Sequence, residues 1–376
     1  MRHRLDAAQS RREGDCMRLF SILSVAGIMA LPSLALASGP STLGAQVAAD
    51  VKVGATVQDV GADSFAGTHV SFPDGVTGYP DVTYATLLGY RPLKLDLFVP
   101  DKARENNAKR PLVIYVHGGG WFAGGPRRSA AYADWPKVLA TLAAKGYVVA
   151  SVGYRFSGEA PFPAAIQDVK SAIRWLRVNA AAYGIDPDRV AIWGQSAGGH
   201  LAALAGTSCG VKALDPDPRT VPARANVETV ASTAAGSDET SDCVQAVVAW
   251  FGIYDFAQMP QVSAAGRDAD AGSRFLGCAA DKPCEADRLA AASPITYVDR
   301  KDPPFLLIHG TDDEVVPDSQ TDLFERKLKD NKVPVTKIMI DGVGHSWIGK
   351  TPEDTKKASI DSLVASINFI EKNIGK

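Results

Sequence analysis

A serine at position 196 lies in a short motif that could turn its hydroxyl into a nucleophile. The motif, GQSAG at 194–198, follows the apolar run Val190–Trp193, which predicts a strand, and precedes a predicted helix over 197–206. G-x-S-x-G between a strand and a helix forms a sharp turn that exposes the serine, and the helix N-terminus favours negative charge beside it. We therefore predict that Ser196 attacks an electrophile such as a carbonyl carbon.

A serine hydroxyl needs a neighbouring base, and histidine is the usual one. We assign this role to His345, because it lies in a glycine-rich loop after the predicted strand Val335–Ile340 and follows Ser196 in the chain order Ser…Asp…His. His200 comes one helical turn after Ser196 and is predicted to point along the helix rather than back to the hydroxyl. The other histidines after residue 37 are His69, His117 and His309.

The supporting acid should follow a strand that lies between Ser196 and His345 in sequence. The predicted strand Phe305–His309 leads into three acidic residues, of which we prefer Asp313, with Asp312 and Glu314 as rivals. Asp255, after another predicted strand, is an alternative acid, although its side chain suits the capping of the next segment better.

A developing oxyanion would need hydrogen-bond donors, and a run of three glycines could supply them. HGGGW at 117–121 follows the predicted strand Pro111–His117, and glycines let backbone N–H groups turn toward a bound oxygen. We predict an oxyanion hole formed by the N–H groups of Gly119, Gly120 and Ala197.

Short apolar runs alternate with helical periods from residue 111 onward, and this predicts a mostly parallel twisted sheet with helices on both faces. The carboxyl ends of such strands are where sites form. An antiparallel pair, 82–86 and 93–99, precedes the alternation, and insertions at 208–243 and 256–292 are long enough to form a partial cap. The elements predicted after residue 111 are strands at 111–117, 146–152, 190–193, 244–251, 305–309 and 335–340, and helices at 131–145, 163–180, from 197, 319–330 and 354–373.

The N-terminus predicts export. From Met17, a short basic segment is followed by an apolar run and then by Ala35-Leu36-Ala37, a pattern typical of a secretory signal that ends at residue 37. Translation could alternatively start at Met17 rather than Met1. The alternative interpretation of residues 1–37 is a retained membrane anchor. Residues 38–65 are small and polar and predict a flexible lead-in, which leaves 66–376 as the catalytic domain. We expect a secreted or periplasmic protein with no stable membrane span after signal removal.

Four cysteines remain after residue 37, which suits an oxidising compartment. Of the three possible pairings, Cys209–Cys243 with Cys278–Cys284 is the simplest, and four free thiols are the alternative. The formal charge is −2 and the sequence has no runs of like charge, which argues against nucleic acid as a partner. The sequence also has no HExxH motif and no Cys/His cluster with ligand spacing, so neither a metal nor a cofactor is expected. The oligomeric state is not encoded in these patterns.

Taken together, these motifs resemble the α/β-hydrolase fold, and in particular the HGGG-bearing esterases related to hormone-sensitive lipase and to bacterial feruloyl and acetylxylan esterases. The resemblance implies a serine carboxylic-ester hydrolase with an acyl-enzyme mechanism, with Asp313 as the acid four residues after a structural His309. Its substrate would be a small-molecule or polysaccharide-linked ester, including feruloyl or acetyl esters of plant cell walls. The matching motifs are HGGGW at 117–121, GQSAGGHLAAL at 194–204, SPITYV at 293–298, HGTDDEVVP at 309–317 and GVGHSW at 342–347.

Substrate identity is less well determined, because the two cysteine-bearing insertions depart from the resemblance. Aromatic residues next to the motifs could line a pocket for an aromatic or sugar ester, although core packing explains them equally well. A secreted serine peptidase, a polyester or thioester hydrolase of the same fold, and a catalytically inactive binding module are the alternatives. The candidate pocket residues are Trp121, Phe122, Tyr154 and Trp347, with Phe156 beside them.

Overall fold

The computed structural model describes residues 42–48, 69–101, 109–222, 240–259, 269–278 and 283–375. The predicted signal peptide over 1–37 lies outside these residues. No helix in the described ranges is both long enough and apolar enough to cross a membrane.

One mixed sheet of ten strands organises the described residues, in the order β1-β2-β3-β5-β4-β6-β8-β9-β10, with β7 paired to β2. The strands β5, β4, β6, β8, β9 and β10 are parallel, whereas β1, β2 and β3 form an antiparallel edge that joins β5. The bounds are β1 Val70–Phe72, β2 Val76–Thr86, β3 Leu93–Pro100, β4 Arg110–Val116, β5 Val148–Val152, β6 Ile185–Gln195, β7 Val221–Pro222, β8 Ala246–Trp250, β9 Phe305–Gly310 and β10 Val335–Ile340.

The central strands are continuous apolar runs because both of their faces are covered. Every residue of β5, β8 and β9 is buried, as expected for parallel strands between two helical layers. The described helices are α1 Leu43–Ala48, α2 Trp135–Ala144, α3 Ala164–Val178, α4 Ala180–Tyr183, α5 Ala197–Thr207, α6 Ala269–Leu276, α7 Ala286–Ala292, α8 Ser319–Asp330 and α9 Pro352–Ile374.

Two hydrophobic cores form, one on each face of the sheet. Helices α3, α5 and α8 contribute to the first core, for example through Ile166, Leu201 and Phe324. Helices α2 and α9 contribute to the second core through residues such as Leu139 and Ile367. This is the mostly parallel sheet with helices on both faces that the alternating pattern predicts, and it has the α/β-hydrolase architecture that the motif resemblance implies.

Element bounds differ from the predictions where capping or tertiary pairing decides them. Helix α2 starts at Trp135 rather than 131, because the Asp134 side chain accepts a hydrogen bond from the Lys137 N–H and caps the helix there. Within the predicted lead-in over 38–65, residues Leu43–Ala48 form α1. This helix packs on α9, where the Gly44 N–H donates to Asn368 Oδ1 at 3.0 Å.

Both insertions are tied to the fold at the points that the structure describes. The disulfides are Cys209–Cys243 and Cys278–Cys284, the pairing expected from the sequence. Beside the first disulfide, buried Lys170 of α3 donates to the Ser208 carbonyl at 2.6 Å and lies 3.4 Å from the Asp242 carboxylate. A buried cation paired in this way fixes the base of the first insertion against α3.

Candidate active site

Ser196 occupies a strained turn between β6 and α5. Its φ is +52°, a left-handed value that costs energy for any residue with a Cβ and is typical of functional turns. The flanking glycines are required by close approach. A Cβ at Gly194 would lie 2.1 Å from the Gly198 carbonyl oxygen, and one at Gly198 would lie 2.0 Å from the Val116 carbonyl oxygen. The turn therefore needs the G-x-S-x-G pattern and projects the serine at the carboxyl end of β6.

His345 lies within hydrogen-bond distance of this serine. It begins a short 3₁₀ turn, His345–Trp347, in the loop that follows β10, and Ser196 Oγ donates to its Nε2 at 3.0 Å. The Phe251 ring contacts the imidazole edge to face, with ring centroids 4.6 Å apart. Phe251 follows β8, the strand between β6 and β9, and no pattern in the sequence predicts this contact.

Asp313, after β9, lies on the other side of the imidazole. The His345 Nδ1–H donates to Asp313 Oδ2 at 2.7 Å, while Asp313 Oδ1 accepts the backbone N–H groups of Val315 and Val316 at 2.9 Å. Burial by itself raises the pKa of the Asp313 carboxyl. The neighbouring His345 and hydrogen bonds from His309 and His345 outweigh burial and hold this pKa below the usual aspartate range.

The rival acids lie elsewhere. Asp312 and Glu314 are exposed. The Asp255 side chain accepts the Ala257 N–H at 2.9 Å and caps a 3₁₀ turn, which is the role that the sequence favours for it.

His309 makes a second contact to the acid, which no pattern in the sequence predicts. Its Nδ1 lies 2.6 Å from Thr321 Oγ1, and its Nε2 lies 2.9 Å from the Val316 carbonyl and 3.2 Å from Asp313 Oδ2. Because both Nε2 neighbours are acceptors, the proton belongs on Nε2 and the threonine hydroxyl donates to Nδ1. His309 therefore orients the carboxylate, which is a more specific role than general structural support.

The glycine loop after β4 runs beside the serine. A Cβ at Gly118 would lie 3.2 Å from Ser196 Cβ, and Gly119 and Gly120 have φ values of +119° and +59°, which favour glycine. Within the described ranges, no acceptor is found for the N–H groups of Gly119 and Gly120. Ala197 is the first residue of α5, a position whose N–H has no partner within the helix.

A hydroxyl, an imidazole and a carboxylate in one hydrogen-bonded row are the arrangement that activates serine for attack on a carbonyl carbon. The BD-FAE family profile matches residues 95–328. The chain belongs to the BD-FAE family.

Relatives of this BD-FAE chain carry esterase names. It is 34% identical over 234 residues to Esterase LipQ and 37% identical over 239 residues to Esterase LipC, both of Mycobacterium tuberculosis. These alignments cover 61% and 63% of the chain but 48% and 53% of the relatives, so the chain spans about half of their length. A solved structure named "Truncated form of carbohydrate esterase from gut microbiota" matches at 30% identity with a TM-score of 0.58, covering 80% of this chain and 97% of that one.

Most of the aromatic residues expected to line a pocket belong instead to the core of this BD-FAE chain. Tyr154 is fully buried, and its hydroxyl donates to the His117 carbonyl at 3.1 Å. Trp347 is also fully buried, against Phe251, and Trp121 is only 4% exposed. Phe122, at 37% exposure, is partly open to solvent, and Phe156 is half-buried.

The described part of the second insertion covers the glycine loop, as expected of a partial cap. Helix α6 places the Ala271 Cβ 3.6 Å from the position of a Cβ at Gly120. The Arg274 guanidinium of the same helix lies 5.2 Å from the centre of the Phe122 ring. One wall of the site is therefore built from this insertion.

Proposed function

We propose that this protein is a serine carboxylic-ester hydrolase in which Ser196, His345 and Asp313 form the catalytic triad. The observation that carries the proposal is the hydrogen-bonded row from Ser196 Oγ through both ring nitrogens of His345 to Asp313 Oδ2, at 3.0 and 2.7 Å. The esterase names of LipQ and LipC and the carbohydrate esterase structure support the same class of reaction.

The reaction follows from the positions of these groups. Ser196 Oγ attacks the ester carbonyl carbon while its proton passes to His345 Nε2, and the carbonyl oxygen becomes an oxyanion. The N–H groups of Gly119, Gly120 and Ala197 stabilise that charge. When the tetrahedral intermediate collapses, the carbon–oxygen bond to the alcohol breaks and His345 gives its proton to the departing oxygen.

The acyl-enzyme is then hydrolysed by the same groups. His345 takes a proton from water, the hydroxide attacks the acyl carbon, and Ser196 leaves with the proton returned from Nε2. The Asp313 carboxylate stays ionised throughout, because its lowered pKa keeps it charged at any pH where His345 acts as a base. It stabilises the imidazolium that forms in each step and fixes the proton of the neutral ring on Nδ1.

For the substrate, we propose esters carried on carbohydrate, including acetyl and feruloyl esters of plant cell walls. Support comes from the carbohydrate esterase structure, which is similar over most of its length. For the location, we propose export with cleavage after Ala37, to the periplasm or the medium. The two disulfides support an oxidising compartment, and the N-terminal residue of the exported protein should be Ser38.

The deciding experiment compares wild type, Ser196→Ala and Ser71→Ala on p-nitrophenyl acetate, p-nitrophenyl butyrate, methyl ferulate and acetylated xylan. Ser71 is an exposed residue of β1 and serves as the matched control. We expect hydrolysis by wild type and Ser71→Ala and loss of at least about 10³-fold in Ser196→Ala. Full activity of Ser196→Ala would refute the assignment of the nucleophile. Failure of the folded wild type to cleave any of the four esters would refute the reaction class.

A further inference from the structure

A buried histidine that the proposed mechanism does not use connects the glycine loop to the nucleophile helix. His200 is fully buried on α5, and the Trp121 indole N–H donates to its Nδ1 at 3.1 Å. Its Nε2 lies 2.7 Å from the Ala292 carbonyl at the end of α7. A carbonyl can only accept and an indole can only donate, so the ring carries its proton on Nε2 and keeps a lone pair on Nδ1.

The protonation state of His200 suits this arrangement. Burial lowers the pKa of His200 to about 4, so the ring is neutral at neutral pH and Nδ1 remains an acceptor. The ring also contacts Phe256 and Phe275, with centroids 5.2 and 5.4 Å away, so aromatic side chains pack against it.

Trp121 needs support of this kind because its backbone is strained. It ends the HGGGW segment with φ at +61°, a left-handed value that is an outlier for a bulky residue. Its carbonyl accepts the Ser157 N–H at 2.8 Å, and its ring stacks on Phe275 with centroids 4.6 Å apart. A strained conformation persists only when its surroundings over-determine it, and the bond to His200 is the one directional contact that the indole N–H makes among the described residues.

We propose that His200 is a positioning residue: through its Nδ1 lone pair and the Trp121 indole, it holds the amides of Gly119 and Gly120 in place opposite Ser196. The inference deepens the proposed ester hydrolysis and rests on it. His200 lies on the first turn of α5, where its N–H donates to the Ser196 carbonyl at 2.9 Å. His200 therefore connects the loop that would stabilise the oxyanion to the helical turn that follows the nucleophile.

A matched pair of substitutions separates this role from simple packing. In His200→Asn the side-chain oxygen takes the place of Nδ1 and can still accept from Trp121. His200→Gln reaches the position of Nε2 and can donate to Ala292, but it places no acceptor where Nδ1 was. Trp121→Phe removes the indole donor from the other side and keeps an aromatic ring against Phe275.

Misplaced hydrogen-bond donors weaken binding of the transition state more than binding of the substrate, so they lower kcat more than they raise KM. For p-nitrophenyl acetate we expect His200→Gln and Trp121→Phe each to lower kcat by roughly 10–100-fold, with KM changed by less than about threefold. His200→Asn should stay within about threefold of wild type in kcat. Because both damaging changes remove the same hydrogen bond, the double variant should be no slower than about the worse of the two single variants.

The inference is overturned if His200→Asn and His200→Gln fall together, or if Trp121→Phe keeps the wild-type kcat. Thermal unfolding is measured for each variant, and a variant that does not fold is set aside. Trp121→Phe then decides the question, because it changes a loop residue and leaves α5 intact. Retention of activity by Ser196→Ala is a separate result, since it refutes the proposed function and not the contact between His200 and the loop.

Discussion

Replacing Asp313 by asparagine changes one atom of the proposed triad and should reverse the proton arrangement of His345. The Asp313 carboxylate uses its two oxygens differently. Oδ1 accepts two backbone N–H groups at 2.9 Å, while Oδ2 accepts the His345 Nδ1–H at 2.7 Å. In Asp313→Asn the amide oxygen should keep the backbone bonds, because only an acceptor fits there, so the NH₂ group replaces Oδ2 and faces His345.

An NH₂ group donates, so His345 Nδ1 must become the acceptor and its proton moves to Nε2. Nε2–H then points at Ser196 Oγ, 3.0 Å away, and has no lone pair with which to take the serine proton. Loss of the correct tautomer costs about 10⁴-fold in kcat in proteins with this arrangement, or about 5 kcal/mol of barrier. In the wild type, His309 Nε2 lies 3.2 Å from the acceptor Asp313 Oδ2. In Asp313→Asn the same N–H would face the NH₂ donor, which adds to the loss.

The assay is steady-state hydrolysis of p-nitrophenyl acetate at pH 7.5, with thermal unfolding as the test of folding. Asp312→Asn is the matched control, because it changes the preceding residue in the same way at an exposed position. We expect the control to stay within about twofold of wild type while Asp313→Asn loses roughly 10⁴-fold. If Asp313→Asn keeps more than about a tenth of the wild-type kcat, or if Asp312→Asn loses as much, the assignment of the acid is wrong.

Three further predictions concern stability. Burial lowers the pKa of His117 and His200 to about 4. Below pH of about 6.5 these histidines are therefore protonated in the unfolded chain but stay neutral in the folded chain. The free energy of unfolding should fall as the pH is lowered from about 6.5 to about 4, by about 3 kcal/mol per histidine. Urea titrations across that range measure the slope, and a flat profile contradicts the argument. Replacing Cys209 and Cys243 by serine removes a disulfide between residues 34 positions apart and should lower the free energy of unfolding by about 4 kcal/mol. Replacing Cys278 and Cys284, which are 6 positions apart, should lower it by about 2 kcal/mol in the same titrations. Equal losses would count against a loop-length effect. Gly198→Ala forces a Cβ to within 2.0 Å of a carbonyl oxygen and should cost at least about 2 kcal/mol, whereas Gly125→Ala meets nothing within 4 Å; equal melting temperatures of these two variants would show that the turn accommodates a methyl group.

The sequence predicts the framework of this site well because the relevant signals are local. Helix α8 and strand β10 have the predicted bounds, 319–330 and 335–340. Chain order and the preceding strand predict Ser196 and His345, the motif resemblance places the acid at Asp313, and the structure brings these three together. A turn that tolerates only glycine on both sides of a serine leaves a direct trace in the sequence.

The burial of the candidate pocket rings could not be predicted, for a different physical reason. Trp347 ends the GVGHSW motif and Tyr154 follows β5, but position in the sequence does not determine whether a ring points to the cleft or into a core. Tyr154 stacks on His117 with centroids 4.5 Å apart, and Trp347 packs on Trp250 at 5.4 Å. Each ring orientation follows from tertiary packing, which leaves no periodic signal. The contact of His200 with Trp121 joins two segments 79 residues apart and could not be predicted for the same reason.

The site residues lie far apart in sequence, between positions 117 and 345, but each follows a parallel strand. They can share one site because parallel strands end at one edge of a sheet. The glycine loop follows β4, Ser196 follows β6, Asp313 follows β9 and His345 follows β10, and the order β4-β6-β8-β9-β10 makes these ends near neighbours. Strand β8 lies between the nucleophile and the acid, so a residue at its end must also face the site. Phe251 occupies that position against His345, where an apolar ring limits the water that reaches the imidazole.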